Sequence, residues 1–156
     1  MVGRDDRRKG TDMVEREFIV PGDPKGKARP VVTRRGAFTP KGTVHYENLI
    51  KLMYSEKYGD DPMFDGEVSA VLTAWFTVPK NMPKYKKRLV EVDEVRPTKK
   101  PDSDNIAKCI LDALNGIAYH DDSAVTELRV AKKYTLHQPC VQVLLKGDVI
   151  EEEADA

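Results

Sequence analysis

The sequence contains little cysteine and no long apolar segment. Its two cysteines, Cys109 and Cys140, form no C-x-x-C pair, and this spacing favours buried, reduced thiols over a disulfide or a zinc site. No apolar run approaches the roughly 18 residues that a membrane span requires. The charged N-terminus also lacks the apolar core of a secretory signal. We therefore expect a cytoplasmic protein with no membrane partner.

The chain also lacks a net charge, because 26 Lys and Arg residues balance 26 Asp and Glu residues. An even mixture of these charges would argue against a nucleic-acid partner. The charges are instead segregated: residues 25–41 hold six basic residues and no acid, and residues 80–100 hold eight basic residues against three acids. Six acids lie within residues 102–127. This segregation is compatible with nucleic acid as a partner.

The length of 156 residues suits one domain with an adequate core. Residues 1–15 are mostly polar and lack periodicity, so we predict a disordered N-terminal tail. We assign residues 16–147 to the folded domain and residues 148–156 to a solvated acidic tail. The chain contains no internal repeat.

Apolar periodicity and turn residues predict alternating strands and helices. The predicted strands are residues 17–20, 68–78, 125–134 and 141–145, and the predicted helices are residues 43–58, 83–90 and 103–115. Between them, residues 22–40 are expected to form a long, irregular basic loop. The last two strands are expected to pair as a hairpin. This order indicates an α/β (α+β) domain of two layers, with helices packed on a mixed sheet.

Two carboxylates stand at the start of the third predicted helix. Asp102 and Asp104 form a D-x-D pair followed by Asn105, so several oxygen atoms lie within one helical turn. A helix cap requires only one such carboxylate. Hard divalent cations prefer oxygen ligands and can activate water for attack on a phosphodiester. The surplus of oxygens therefore favours a metal-assisted phosphodiesterase over simple capping.

The sequence does not match two other motifs that bind ions or phosphates, the EF-hand and the Walker A loop. An EF-hand opening at Asp102 would place Ala107 at its required glycine and Ala113 at its closing glutamate. A Walker A loop at residues 22–28 has too few residues between its glycines and has Ala28 where Ser or Thr should stand. We therefore predict neither a calcium loop nor a nucleotide site.

Lys108, Asp121 and Asp122 each have a structural and a functional interpretation. Lys108 is four residues from Asp104 and from Asp112, so it either forms helical ion pairs or places an ammonium beside the scissile phosphate. Asp121 and Asp122 form either a plain polar turn or part of the metal site. The neighbouring His120 is the poorer ligand for a magnesium-type ion.

The basic loop is a candidate DNA-contact surface, although a solvated loop is the alternative. Contacts from basic side chains to phosphates would give affinity without base readout, and this affinity would fall with salt. The candidate DNA-binding residues are Lys25, Lys27, Arg29, Arg34 and Arg35.

Several of these segments closely resemble the signature of RusA-type Holliday junction resolvases. They are residues 100–108 (KPDSDNIAK), 111–116 (LDALNG) and 120–122 (HDD), together with residues 21–30 (PGDPKGKARP), 38–40 (FTP) and 46–47 (YE). The similarity spans about residues 17–146. The combination of motifs, rather than any one of them, makes the resemblance specific.

The resemblance implies a RusA-like fold and a homodimeric endonuclease that uses Mg²⁺, or alternatively Mn²⁺, to make paired nicks in four-way DNA junctions during recombination and repair. Phage and prophage genomes commonly encode such enzymes. By position, Asp102, Asp104 and Asp122 match the essential acids and Lys108 matches the essential lysine. Asp121 matches a flanking acid and is a further candidate ligand.

The link between Asp112 and Asp122 is one residue shorter than in some relatives, which leaves Asp121 and Asp122 both open as the main ligand. Two alternatives to the resolvase function also stay open at this point. One is a non-catalytic DNA-binding module, and the other is a less selective nuclease for branched DNA.

Overall fold

The structure is a computed structural model that describes residues 11–150. Its elements are β1 (Thr11–Pro21), β2 (Val31–Thr33), β3 (Gly36–Phe38), α1 (Lys41–Tyr58), β4 (Asp65–Thr77), α2 (Lys84–Glu91), α3 (Ser103–Ala113), a 3-10 turn (Asp122–Ala124), β5 (Val125–Thr135) and β6 (Cys140–Ile150). None of the helices in this part of the chain combines the length and apolar composition that a membrane crossing requires.

Four strands form one mixed sheet in the order β1-β6-β4-β5. β6 pairs antiparallel with β1 and β4, and β4 pairs parallel with β5. Alternate residues of β4 are buried, from Val68 to Phe76, because successive side chains of a strand point to opposite faces. The parallel pair requires a crossover, and that crossover contains α2 and α3.

Helices α1 and α3 pack together on one face of the sheet and enclose the core. α3 contributes Ile106 and Ile110, which have no exposed surface, and α1 contributes Ile50 and Tyr54. These positions recur at helical spacing, so each helix buries one side and leaves the other in solvent. The predicted fold class, one mixed sheet with helices packed on it, is therefore confirmed.

The predicted hairpin between the last two strands is wrong. β5 and β6 are separated by β4, which is hydrogen-bonded to both of them. The prediction rested on the short connection at residues 136–139, but this connection crosses the end of β4 instead of turning back on the same edge. β6 thereby gains a partner on each side, so both edges of its backbone are hydrogen-bonded.

The boundaries predicted for the two tails also need correction. Residues 11–15 were assigned to a disordered tail but form the first part of β1, and residues 148–150 were assigned to the acidic tail but end β6. Thr11 pairs with Ile150, so each segment supplies the backbone partners that the other needs. Local composition does not reveal this long-range pairing. Residues 1–10 and 151–156, which hold the rest of both predicted tails, lie outside the described residues.

The basic loop contains one regular feature that was not predicted. β2 and β3 pair as a small hairpin within it, with Arg34 and Arg35 at the turn. All residues of this hairpin are exposed. It therefore extends from the domain as a separate two-stranded unit.

Candidate functional site

The start of α3 leaves the Asp102 carboxylate free of a capping role. Asp102 occupies the N-cap position with an extended backbone, but its side chain makes no cap hydrogen bond. Its backbone carbonyl accepts the first helical hydrogen bond, from Ile106 N at 3.0 Å. Both Asp102 and Asp104 are exposed. The surplus carboxylates are thus available to a ligand in solvent.

Asp104, Lys108 and Asp112 follow one another at four-residue spacing along the polar side of α3. The residues that alternate with them, such as Ile106 and Ile110, are fully buried. Residues four apart on a helix lie on the same side. The helix therefore presents Asp104 and Lys108 to the solvent, and Asp112 lies half-buried further along the same side.

Asp122 meets Asp112, toward the C-terminal end of α3. The two carboxyl groups are hydrogen-bonded, and this bond, together with partial burial and the neighbouring negative charges of Asp112 and Asp121, raises the pKa of Asp122. Burial acts to raise the pKa of Asp112 as well, but its hydrogen bonds from Lys27 and Asp122 and the positive charge of Lys108 lower it overall. The opposite directions of the two shifts mean that Asp112 loses its proton more readily than Asp122 does.

The hydrogen bond to Asp112 places Asp122 toward the C-terminal end of α3, whereas Asp102 is the N-cap residue of the same helix. Asp102 and Asp112 are ten positions apart on α3, about 15 Å along the helix axis at ~1.5 Å per residue. Within residues 11–150, no group of three or more His, Cys, Asp and Glu side chains is arranged to hold a metal ion. The shared-ion role of Asp102, Asp104 and Asp122 stays a prediction.

The chemistry of these side chains nevertheless fits a hard divalent cation. All the candidate ligands are carboxylates, the donors that magnesium prefers. The hydrogen bond between Asp112 and Asp122 brings two carboxyl groups close together, and a cation near such a pair favours the charged forms of both. Beside them, Asp121 is exposed, and its pKa is lowered chiefly by a hydrogen bond from Ser123.

Lys27, one of the predicted DNA-binding residues, forms an ion pair within this site. Its Nζ atom is 2.7 Å from Asp112 Oδ2 and 3.4 Å from Glu47 Oε1. The hydrogen bond to Asp112 raises the pKa of Lys27, with only part of this effect offset by burial. Lys27 therefore ties the N-terminal loop and α1 to α3, and a role in direct phosphate contact would require this ion pair to open.

The other predicted DNA-binding residues are exposed. Arg34 and Arg35 form the turn of the β2–β3 hairpin, and Arg29 precedes it. Lys25 is placed over the Tyr46 ring, with its Nζ atom 5.8 Å from the ring centroid. Four of the five predicted basic residues thus remain accessible to a phosphate backbone.

Sequence reasoning missed Asp112 and Glu47 as members of the site. The sequence could have identified Asp112 from helical spacing, because Asp112 lies two helical turns after Asp104 and one turn after Lys108, on the same side of the helix. Glu47 gave only a weak signal, since an acid near the start of a helix is common. Its contact with Lys27 depends on the packing of α1 against α3, which no local pattern reports.

Gly26 allows the N-terminal loop to approach the start of α3. A Cβ atom at this position would lie 2.9 Å from Asn105 Cβ and 3.1 Å from Pro101 Cβ. In the same place, Lys27 N donates a hydrogen bond to Asn105 O at 3.1 Å. The loop that carries Lys27 is thus held against the residues that carry the D-x-D motif.

We predict that Gly26→Ala destabilises the protein by about 1–3 kcal/mol, because the added methyl group forces the loop away from α3. Thermal unfolding measures this change. Gly42→Ala is the matched control: it lies in α1 with no atom within 4 Å of the added carbon. That substitution should be neutral or stabilise by up to about 1 kcal/mol. Equal melting temperatures for Gly26→Ala and the unmodified protein would contradict the close packing.

Comparison with known proteins gives two matches. The profile of the family described as Endodeoxyribonuclease RusA matches residues 21–146. The chain is also similar to the protein of Bacillus subtilis (strain 168) named "Uncharacterized protein YqaN", with 33% identity over 140 residues, covering 83% of this chain and 94% of the relative. The family match includes both the basic loop and the acidic residues of α3.

Proposed function

Because the chain belongs to the RusA endodeoxyribonuclease family, we propose that it is a structure-selective, metal-dependent endonuclease that resolves four-way DNA junctions by paired nicks. Family membership supports nuclease activity in general, and the junction specificity is our inference. The observation that carries it is the solvent-facing row on α3, in which exposed carboxylates not used for capping stand beside Lys108.

We assign the metal to the acidic side chains. Asp102, Asp104 and Asp122 are the proposed ligands of Mg²⁺, with Mn²⁺ as the alternative ion and Asp121 as a flanking ligand. When bound, such an ion polarises the scissile phosphate and lowers the pKa of a water molecule. The hydrogen bond to Asp112 raises the pKa of Asp122, and a carboxyl group binds a metal ion in its ionised form.

The remaining charged groups orient the DNA. Lys108 is exposed between Asp104 and Asp112, where its ammonium would contact a non-bridging oxygen of the phosphate and stabilise the charge that develops there. The exposed arginines of the loop would grip the backbone at a distance from the cut. Binding and cleavage therefore depend on different residues.

A homodimer explains how a small subunit makes paired cuts. Two-fold symmetry would bring one active site to each of two symmetry-related strands of the junction. We also propose a reducing cytoplasm as the compartment. Both cysteines are free thiols, and burial raises the pKa of Cys109 to about 12, which keeps it protonated and unreactive.

Incubation with a synthetic four-way junction and Mg²⁺ tests the function. Symmetric nicks in opposing strands are expected, with no product when the ion is chelated. Binding without cleavage under any divalent ion would instead indicate a DNA-binding module. Equal cleavage of flap and fork substrates would indicate a less selective branched-DNA nuclease.

A second prediction concerns the exposed turn of the β2–β3 hairpin. Neutralising Arg34 and Arg35 together, as Arg34→Gln with Arg35→Gln, should weaken junction binding and reduce the slope of log affinity against log salt by roughly 1–2, since each lost phosphate contact removes about 0.9. Gel shifts at several salt concentrations measure the slope. Lys51→Gln, on α1 outside the basic loop, is the charge control. An unchanged slope in the arginine variant would remove this hairpin from the contact surface.

A further inference from the structure

Helix α2 carries a concentration of positive charge that the proposed site does not use. Its 8 residues read KYKKRLVE, which is four bases and one acid. Val90 is the buried residue of this helix, whereas Lys84 and Arg88 are exposed. Within residues 11–150, none of the α2 bases forms an ion pair with an acid. The helix therefore presents an unbalanced positive surface to the solvent.

This charge does not stabilise the helix that carries it. The N-terminus of a helix has a partial positive charge, so bases in the first turn oppose it and acids there relieve it. Lys84, Lys86 and Lys87 lie in the first turn of α2, which contains no acid. The N-cap residue, Pro83, makes no side-chain cap hydrogen bond. An external anion would relieve both the helix dipole and these bases. A solvated surface is the alternative, and the position of α2 in the fold favours the anion.

The pairing register places both basic segments of the chain at one end of the sheet. Pro21, which ends β1, pairs with Cys140 of β6. Cys140 pairs in turn with Trp75 of β4. The basic loop leaves the sheet directly after Pro21, and the crossover that contains α2 leaves it after Thr77, close to Trp75. The basic loop and the crossover therefore start at the same end of the sheet, one from β1 and the other from β4.

The D-x-D motif lies at this end of the sheet too. Lys132 of β5 pairs with Ala74 near the end of β4, and its Nζ atom donates a hydrogen bond to the carbonyl oxygen of Lys99. The motif begins three residues after Lys99. From the other side, Gly26 in the basic loop packs against the start of α3. The motif therefore lies between the basic loop and the segment that arrives from α2.

The segment between α2 and the motif is anchored to β5. Asp93, two residues after α2, forms ion pairs with Arg96 at 2.6 Å and with Lys133 of β5 at 3.3 Å. These ion pairs and the hydrogen bond to the backbone of Lys99 hold the segment at two points. The residues that separate α2 from the motif, 92–101, span at most ~35 Å when fully extended. One turn of duplex DNA has about that length, so α2 can contact phosphates within about one turn of a phosphate at the motif.

We propose that the side of α2 that carries Lys84 and Arg88 binds the phosphate backbone of duplex DNA, on the opposite side of the D-x-D motif from the basic loop. These two bases are four residues apart and so lie together on the helix surface, where they contact phosphates without reading bases. A duplex arm of the substrate then crosses the end of the sheet and is held on both sides of the cut. This surface deepens the proposed function and rests on it.

The salt dependence of DNA binding tests the α2 surface. Lys84→Gln combined with Arg88→Gln should weaken binding to a four-way junction at least about 10-fold at ~0.1 M salt, and should reduce the slope of log affinity against log salt by roughly 1–2. Fluorescence anisotropy of a labelled junction without divalent ions measures both quantities in the absence of cleavage. Lys51→Gln combined with Lys146→Gln is the control of equal charge. Lys51 lies on α1, and Lys146 pairs with Ser69 at the other end of the sheet, so the control should bind as the unmodified protein does.

A combined variant tests whether the two basic surfaces contact different phosphates. Adding Arg34→Gln and Arg35→Gln to the α2 substitutions should reduce the slope by the sum of the two separate reductions, because each lost phosphate contact removes about 0.9. Circular dichroism should show an unchanged fold for the α2 variant, since the replaced side chains are exposed and glutamine is a good helix former.

An unchanged slope in the α2 variant, an equal reduction in the control, or an unmodified protein that does not bind the junction would overturn the proposal. Nicking of the same junction in Mg²⁺ is measured separately. Cleavage by the unmodified protein together with an unchanged slope in the α2 variant would contradict only the α2 surface. A reduced slope in the α2 variant without cleavage by the unmodified protein would contradict the nuclease function and leave α2 as a DNA-binding surface.

Discussion

Asp104→Asn is expected to abolish junction cleavage while leaving junction binding intact. The substitution preserves the size of the side chain but removes the negative charge that a divalent cation requires. The loss in the cleavage rate should be at least about 10³-fold, which corresponds to about 4 kcal/mol of transition-state stabilisation. Binding should change little, because the exposed arginines that grip the backbone are on a different element.

Single-turnover cleavage of a labelled four-way junction, together with a gel shift on the same substrate in Ca²⁺, separates the two effects. Asp60→Asn, in the exposed turn after α1, is the matched control and should cleave normally. If Asp104→Asn retained cleavage, Asp104 would have no role in the chemistry. If the variant lost both binding and cleavage, the residues that bind the DNA backbone and the residues that support cleavage would not be separate sets.

Leu114→Ala should produce the largest loss of stability among simple truncations near the site. Leu114 has no exposed surface and occupies the C-cap of α3. Removing a fully buried leucine side chain costs about 2–5 kcal/mol, including the cavity that remains. At ~2–4 °C per kcal/mol for a protein of this size, the melting temperature should fall by roughly 10 °C.

Leu52→Ala is the control of identical chemistry, because Leu52 lies on α1 with 53% of its surface exposed. Its effect should stay within about 0.5 kcal/mol. Thermal unfolding by circular dichroism compares the two variants. Equal melting temperatures for both would mean that α3 is not anchored through Leu114, and the acidic row on its outer side would lack a rigid support.

The elements with strong local signals were predicted well. α3 was expected from residue 103 and begins at Ser103, because its apolar residues recur at helical spacing and its polar residues fall on the opposite side. α1 and β4 also lie within a few residues of their predicted bounds. In these segments the same residues that set local conformation also face the core, so local and tertiary preferences agree.

The errors occur where a partner distant in sequence decides the structure. β5 and β6 look like a hairpin because they are close in sequence, but β4 lies between them. Residues 11–15 look disordered because they are polar, but β6 supplies their hydrogen bonds. Backbone pairing depends little on side-chain composition, so composition could not identify these partners.

The candidate site divides in the same way. The sequence alone determined which chemistry is present: carboxylates at the start of α3, a lysine one turn later, a further acidic pair beyond the helix and a basic loop, all set by residue type and spacing. Only the tertiary structure decided which of these groups meet. It paired Asp122 with Asp112 and drew Lys27 from the basic loop into contact with Asp112 and Glu47. Ion pairs and hydrogen bonds depend on distances of a few ångströms, and the packing of α1, α3 and the loop against the sheet sets those distances.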